Sequence, residues 1–129
     1  THPGGSLGRR LLLSVKDEMI TQNLPFVNKN GTMKEVVLKM TESRLGLALI
    51  GNEEKLEGII TDGDLRRSLL MSDDFTKIEI KDILNKSPMT AYENDNLQVA
   101  HERMKEARLQ SLVVRNNDEK IVGVIQIFK

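Results

Sequence analysis

Residues 15–60 and 80–125 of this chain are two copies of one pattern. Val15-Lys16-Asp17 stands over Ile80-Lys81-Asp82, and Gly58-Ile59-Ile60 over Gly123-Val124-Ile125. Between them, Met33-x-x-Val36-x-x-x-Met40 meets Leu97-x-x-Ala100-x-x-x-Met104, and Arg44-Leu45 meets Arg108-Leu109. The separation is 65 residues at both ends of the pattern and 64 in the middle, a drift that single-residue changes in loop length explain. Such a period constrains the fold before any element is assigned, because each copy is then one supersecondary unit.

Each copy reads as a short extended piece, an amphipathic helix and two strands. The extended pieces are Pro25–Asn28 and Met89–Glu93. Met33, Val36, Val37 and Met40 recur at helical spacing, as do Leu97, Ala100, Met104 and Ala107. Thr32-x-x-Glu35 has the form of a capping box. Two apolar runs come next in each copy, Leu47–Ile50 with Leu56–Thr61 and Leu112–Val114 with Ile121–Ile125, joined by polar turns. A helix over Leu65–Met71 closes the first copy. The expected class is α/β (α+β), with tandem β-α-β-β-α repeats. One unit of roughly 60 residues buries too little surface to be stable alone, so two are expected to cover each other's apolar faces about a pseudo-twofold axis. The boundaries read as 1–14 for the tail of a preceding domain and a linker, 15–72 for repeat 1 and 73–129 for a repeat 2 that is degenerate or truncated at its end. The polar spacer 72–79 is expected to run over the surface.

Composition narrows the function. Aromatic residues make up 3% of the chain and Trp is absent, so the core is aliphatic and a base-stacking platform for nucleic acid has little material. Nineteen basic residues balance nineteen acidic ones, which leaves no net field toward nucleic acid or an acidic membrane. Without cysteine there is no disulfide framework, which fits a reducing compartment. No apolar stretch reaches membrane-spanning length. Asp62, Asp64, Asp73 and Asp74 lack the ligand order of a calcium loop, and two separated histidines make no zinc site. The chain begins at Thr1 rather than methionine and reads as a piece of something longer.

The stretch "GIITDGDLRRSL" (Gly58–Leu69) carries the chemistry. Thr61 and Asp64 have two readings. In one they cap a helix, with Gly63 easing the turn. In the other they grip a sugar phosphate, the Thr61 hydroxyl donating to a phosphate or sugar oxygen and the Asp64 carboxylate accepting from two vicinal ribose hydroxyls. Arg66 and Arg67 come directly after and could meet an anionic ligand or simply face solvent. Opposite Thr61–Asp64 the second copy has Gln126, Ile127, Phe128 and Lys129, so its acid is missing and at most one well-formed site is expected.

The tandem repeat and its Gly-apolar-apolar-Thr-x-x-Asp close resemble the CBS-domain pair, a regulatory module. The resemblance implies a cleft for adenosine- or other nucleotide-type ligands between the repeats. It also implies ribose or phosphate contacts at Thr61 and Asp64, and a base framed by Leu24, Pro25, Phe26, Val27, Gly46 and Leu47. It implies side-by-side self-association as well.

Upstream, "HPGGSLGRRLL" (His2–Leu12) succeeded by "GIITDGDLRR" is similar to arabinose-5-phosphate isomerases. In that family a sugar-isomerase (SIS) domain precedes a CBS pair and converts ribulose 5-phosphate to arabinose 5-phosphate. The product feeds synthesis of Kdo, the acidic sugar of the Gram-negative outer membrane. The resemblance implies that His2 is a catalytic histidine of the complete protein, since imidazole suits a general base near neutrality. Without the domain that positions substrate, no isomerase activity is expected of this chain. His101, with Glu102 and Arg103 beside it, reads as solvated surface.

The resulting expectation is a cytoplasmic, ligand-sensing regulatory pair, dimeric here, with a tetramer open to the complete protein. It requires no cofactor, and its effector is CMP-Kdo or a nucleotide of AMP or ATP type. A structural dimerisation module with an empty cleft is the alternative. A free-standing nucleotide sensor is a third reading, which the His2-Pro3-Gly4-Gly5 lead-in disfavours.

Overall fold

The computed structural model describes residues 12–127, and His2 therefore lies outside the described residues. The chain forms two compact units, one of Asn23–Pro88 and one of residues 12–22 together with 89–127. Their boundaries cut across the sequence repeat.

The Asn23–Pro88 unit opens with strand β1 (Phe26–Val27) and helix α1 (Met33–Ser43). Thr32 caps α1, its Oγ1 accepting from the Glu35 N–H at 3.2 Å. The reciprocal half of the box does not form; the Glu35 carboxylate instead takes a long 3.5 Å bond from the Thr32 hydroxyl. Met33, Val36 and Met40 are buried as their spacing requires. Val37, one position off the stripe, stays exposed. The helix stops at Arg44, which sits in the left-handed conformation at φ 59° and turns the chain so that Leu45 is buried. Strands β2 (Leu47–Gly51) and β3 (Leu56–Thr61) come next, in the sheet order β1-β2-β3. β1 runs parallel to β2 with Phe26 beside Leu49, and β2 runs antiparallel to β3 with Leu47 beside Thr61.

Helix α2 spans Asp62–Ser68 and begins directly at the end of β3. Its start lies three residues before the one expected from the sequence. Asp62-Gly63-Asp64 is its first turn rather than a loop ahead of it, because Thr61 is the N-cap. Leu69, Leu70 and Met71, expected inside the helix, lie beyond it and are exposed. The spacer is likewise not a purely surface run. Its 3₁₀ turn Phe75–Lys77 packs Phe75 against the core, and Ile78 is buried. Helix α3 (Ile80–Ile83) completes the unit.

The other unit repeats the plan with β4 (Thr90–Tyr92), α4 (Leu97–Ala107), β5 (Ser111–Arg115) and β6 (Ile121–Gln126), in the sheet order β4-β5-β6. α4 ends on Arg108 at φ 58°, as α1 ends on Arg44. Leu97, Ala100 and Met104 are buried, whereas Ala107 is exposed at the helix end.

The repeat's opening turns are exchanged between the two cores. Val15, from the start of copy one, is fully buried among Ala91, Leu97, Ala100, Met104, Leu112, Val114 and Ile125 of copy two. Ile80, from the start of copy two, is buried among Val27, Met33, Val36, Met40, Ala48, Ile50 and Ile60 of copy one. Each buried aliphatic side chain stabilises its core by about 1.5–3 kcal/mol. Backbone bridges fix both exchanges, as Ile59 and Asn85 trade N–H···O bonds at 2.9 and 3.0 Å and Ile20 and Val124 do so at 2.8 and 3.0 Å.

Candidate functional site

The residues singled out by sequence meet at one end of the β1-β2-β3 sheet. Leu47 begins β2 and pairs with Thr61, which ends β3. The Pro25 carbonyl accepts from the Leu49 N–H at 2.8 Å, and continuing the parallel register brings Leu24 level with Leu47. Gly46, at φ +75°, turns the chain into β2 while its carbonyl accepts from the Asp62 N–H at 3.2 Å. That conformation favours glycine. Thr61, Gly46, Leu47 and the Leu24–Pro25 segment are thus brought together by backbone hydrogen bonding.

Their side chains are not equally available. Val27 and Leu47 are buried, with Val27 packed in the α1 core, and Pro25 is buried too. Leu24 and Phe26 are half-buried.

Thr61 and Asp64 form a complete capping box. The Thr61 N–H donates to Asp64 Oδ2 at 2.9 Å, and the Asp64 N–H donates to Thr61 Oγ1 at 3.2 Å. Arg67 Nη2 donates to Asp64 Oδ1 at 2.7 Å. The capping reading is therefore realised, yet it does not consume the pair. A threonine hydroxyl that accepts one bond keeps its proton to donate, and a carboxylate has about four acceptor positions, of which two are used. The box holds both groups in fixed directions at the mouth of the β2–β3 pair. Arg66 is exposed, and the arginine that reaches Asp64 is Arg67.

The second copy keeps the backbone of this corner but not its chemistry. The Ile127 N–H donates to the Gln110 carbonyl at 3.0 Å, matching Asp62 and Gly46, while Gln126 stands where copy one has Thr61.

Sequence reasoning missed a groove of about 570 Å³ in the unit of residues 12–22 and 89–127. Glu18, Ile20, Leu97, Gln98, His101, Lys105, Gln126 and Ile127 line it. His101 is not the solvated surface residue its neighbours suggested. Its side chain is 20% exposed, and its Nε2 is buried 4.0 Å from Glu18 Oε2 without a hydrogen bond. The helical spacing of Gln98, His101 and Lys105 was the available signal, but only the fold sets Glu18 opposite them. Among the described residues no cluster of three or more His, Cys, Asp or Glu side chains could hold a metal ion, and no helix is long and apolar enough to cross a membrane.

The duplicated unit with its Thr61–Asp64 corner is that of a CBS domain pair. The CBS domain family model matches residues 15–71 and again 80–127, and the chain belongs to that family. Among curated proteins it is 42% identical over 126 residues to a probable arabinose 5-phosphate isomerase of Haemophilus influenzae, covering 97% of this chain and 37% of that protein. It is 38% identical over 128 residues to the arabinose 5-phosphate isomerase KpsF of Escherichia coli, covering 98% of this chain and 39% of the relative. The chain thus spans less than two-fifths of the relatives it matches.

Solved structures share the fold. A CBS domain protein of Pyrobaculum aerophilum complexed with AMP superposes with a TM-score of 0.77 at 23% identity, over 88% of this chain and 87% of that one. The CBS domain pair of protein MJ0100, complexed with 5′-methylthioadenosine and S-adenosyl-L-methionine, gives 0.75 at 22% identity, over 88% and 92%.

Proposed function

We propose that this chain is the regulatory CBS pair of a longer, cytoplasmic arabinose 5-phosphate isomerase, and that it senses a nucleotide-type effector through Thr61 and Asp64. The observation that carries the reading is the residual bonding capacity of this pair. Thr61 keeps an O–H to donate, and Asp64 keeps acceptor positions for vicinal hydroxyls, both held in place by the capping box. The adenosine compounds bound to the two structural neighbours support a ribosyl ligand. Leu24 and Phe26, half-buried at the same end of the sheet, offer apolar surface for a base. CMP-Kdo combines a ribose, a phosphate and an acidic sugar, and as the activated end product of the isomerase's pathway it is the effector we favour over AMP or ATP. Binding biases the isomerase through its differential affinity for two states of the complete protein.

The catalytic work belongs to the rest of the protein, with His2 contributed from this chain's lead-in. Calorimetric titration of CMP-Kdo, CMP, AMP and ATP into the chain and into Asp64→Ala tests the sensing role. Binding by the parent chain that Asp64→Ala loses supports it; absent binding, or equal binding by both, defeats it.

A second reading, a dimerisation module with no ligand, is favoured by the exposure of Leu38, Leu69, Leu70 and Met71, which are 54%, 56%, 88% and 67% accessible. Sedimentation would then find a dimer whose melting temperature is indifferent to every nucleotide.

A further inference from the structure

We propose that the groove lined by Glu18, His101 and Lys105 binds a small polyhydroxylated molecule carrying one acidic group, a carboxylate or a phosphate. It lies within the unit of residues 12–22 and 89–127 and shares no residue with the Thr61–Asp64 corner, so it stands apart from the nucleotide reading.

The fold fixes both walls of the groove. Glu18 follows the turn anchored by the fully buried Val15, and its N–H donates to the Val15 carbonyl at 3.1 Å. Two residues on, Ile20 and Val124 trade N–H···O bonds at 2.8 and 3.0 Å. On the other side, α4 is seated by the buried Leu97, Ala100 and Met104, and it lines the groove with Gln98, His101 and Lys105. This polar set is not inherited from the repeat. At the matching positions copy one has Ile83 for Glu18, Val37 for His101 and Thr41 for Lys105.

A volume of about 570 Å³ is that of a small-molecule site. His101 Nε2 is buried without a hydrogen bond, and Glu18 Oε2 stands 4.0 Å away, too far to accept one from it. Both atoms can reach a single shared oxygen, which at ordinary hydrogen-bond lengths would see them about 90° apart. The nearby carboxylate favours the tautomer with its proton on Nε2. A ligand hydroxyl then accepts from Nε2–H and donates to Glu18, whereas an ammonium would meet a second donor. Because a buried nitrogen without a partner is costly, a hydroxyl placed there gains more than at an exposed donor. Lys105, exposed one helical turn along, adds a cation. Glu18 repels a bare anion, but a ligand with hydroxyls toward Glu18 and its acidic group toward Lys105 satisfies both. Ile20, Leu97 and Ile127 supply apolar surface for the C–H face of such a ligand.

The test is protein-observed NMR titration of the chain with gluconate, glucose 6-phosphate, glucose, inorganic phosphate and leucine, repeated on His101→Leu, Lys105→Gln and Asp64→Ala. Gluconate, glucose 6-phosphate or both should bind about tenfold or more tighter than glucose, phosphate and leucine, and should shift the amides of Gln98, His101 and Ile127. Binding of gluconate alone identifies a carboxylate site, and of glucose 6-phosphate alone a phosphate site. His101→Leu and Lys105→Gln should each weaken binding about fivefold or more, and Asp64→Ala should leave it unchanged. Lys105 is exposed, so its variant keeps the test decisive should His101→Leu not fold. The proposal is overturned if neither acid binds, or if glucose, phosphate or leucine binds as tightly as the better acid. It is equally overturned if Lys105→Gln binds as the parent does, or if the shifts centre on Thr61–Arg67 and vanish in Asp64→Ala.

Discussion

Asn85 places its carbonyl oxygen where a side chain on Gly58 would begin, and Ile20 does the same above Gly123. The glycine that opens each Gly-apolar-apolar strand motif is therefore a crossing point, where a segment from the other copy lies directly on the strand and trades backbone hydrogen bonds beside it. Glycine is needed for this close approach.

Gly58→Ala should be among the most damaging small substitutions in the chain. The nearest obstructing atom is the Asn85 carbonyl oxygen, backbone that cannot rotate aside, with Leu84 Cδ1 beside it at 2.8 Å. Overpacking in a closed site costs about 1–3 kcal/mol, and here the upper end or beyond is expected. At Gly123 the nearest atom is the Ile20 oxygen at 2.8 Å, and the others, at 3.0 Å, belong to the flexible Met19 side chain. Gly123→Ala should cost less, about 1–2 kcal/mol. Urea denaturation of both variants checks the ordering.

Val15→Ala tests the exchanged cores. Val15 is fully buried in the core of the second copy, although its sequence belongs to the first. Removing two methyl groups and leaving a cavity should cost about 2 kcal/mol. Hydrogen exchange should speed more at Leu112, Val114 and Ile125 than at Ala48 and Ile60. The opposite pattern would contradict the assignment of Val15 to that core.

At the Thr61–Asp64 corner, stability and binding should separate. Thr61→Ala removes an N-cap and should cost about 1 kcal/mol, with Thr61→Ser restoring most of it. Asp64→Asn keeps an oxygen that can accept from the Thr61 N–H, and it gives up an ion pair whose arginine side chain is 69% exposed. Its melting should change little, while nucleotide binding should fall at least tenfold if the carboxylate holds ribose hydroxyls. Thermal melts beside calorimetry separate the two effects.

The acid limb of the stability curve should carry a contribution from Asp17. The Ser14 N–H and then the Ser14 hydroxyl, donating to Oδ2 at 2.8 and 3.0 Å, hold the Asp17 carboxyl below its ordinary value of 3.8. A depressed folded value means that the contribution is present above pH 3.8 and lost as pH falls through the folded value. Carboxyl-detected NMR titration should find this depression, with Ser14→Ala relieving part of it and the backbone share remaining. Asp17→Asn should flatten the corresponding part of the acid limb.

The repeat, its β-α-β-β order and the Thr61-x-x-Asp64 motif were legible in the sequence because they rest on periodicity and on local capping chemistry. Met33, Val36 and Met40 are buried as their spacing requires, and the helix after β3 exists where a helix was expected. Its true start is hidden from the sequence because Asp-Gly-Asp reads as a turn until Thr61 and Asp64 are seen to trade hydrogen bonds across it.

Long-range placement belongs to the tertiary structure. Nothing local in Val15-Lys16-Asp17 says that Val15 enters the second core, or that Ile80 enters the first. Two copies with similar hydrophobic patterns offer each opening turn two comparable seats, and only the path of the chain selects one. The same holds for Arg67. Sequence offered two adjacent arginines, and the helical turn begun at Thr61 set one of them over Gly63 and against Asp64. Residue types and their period determined which elements form; which residue touches which was decided by the directions in which those elements leave one another.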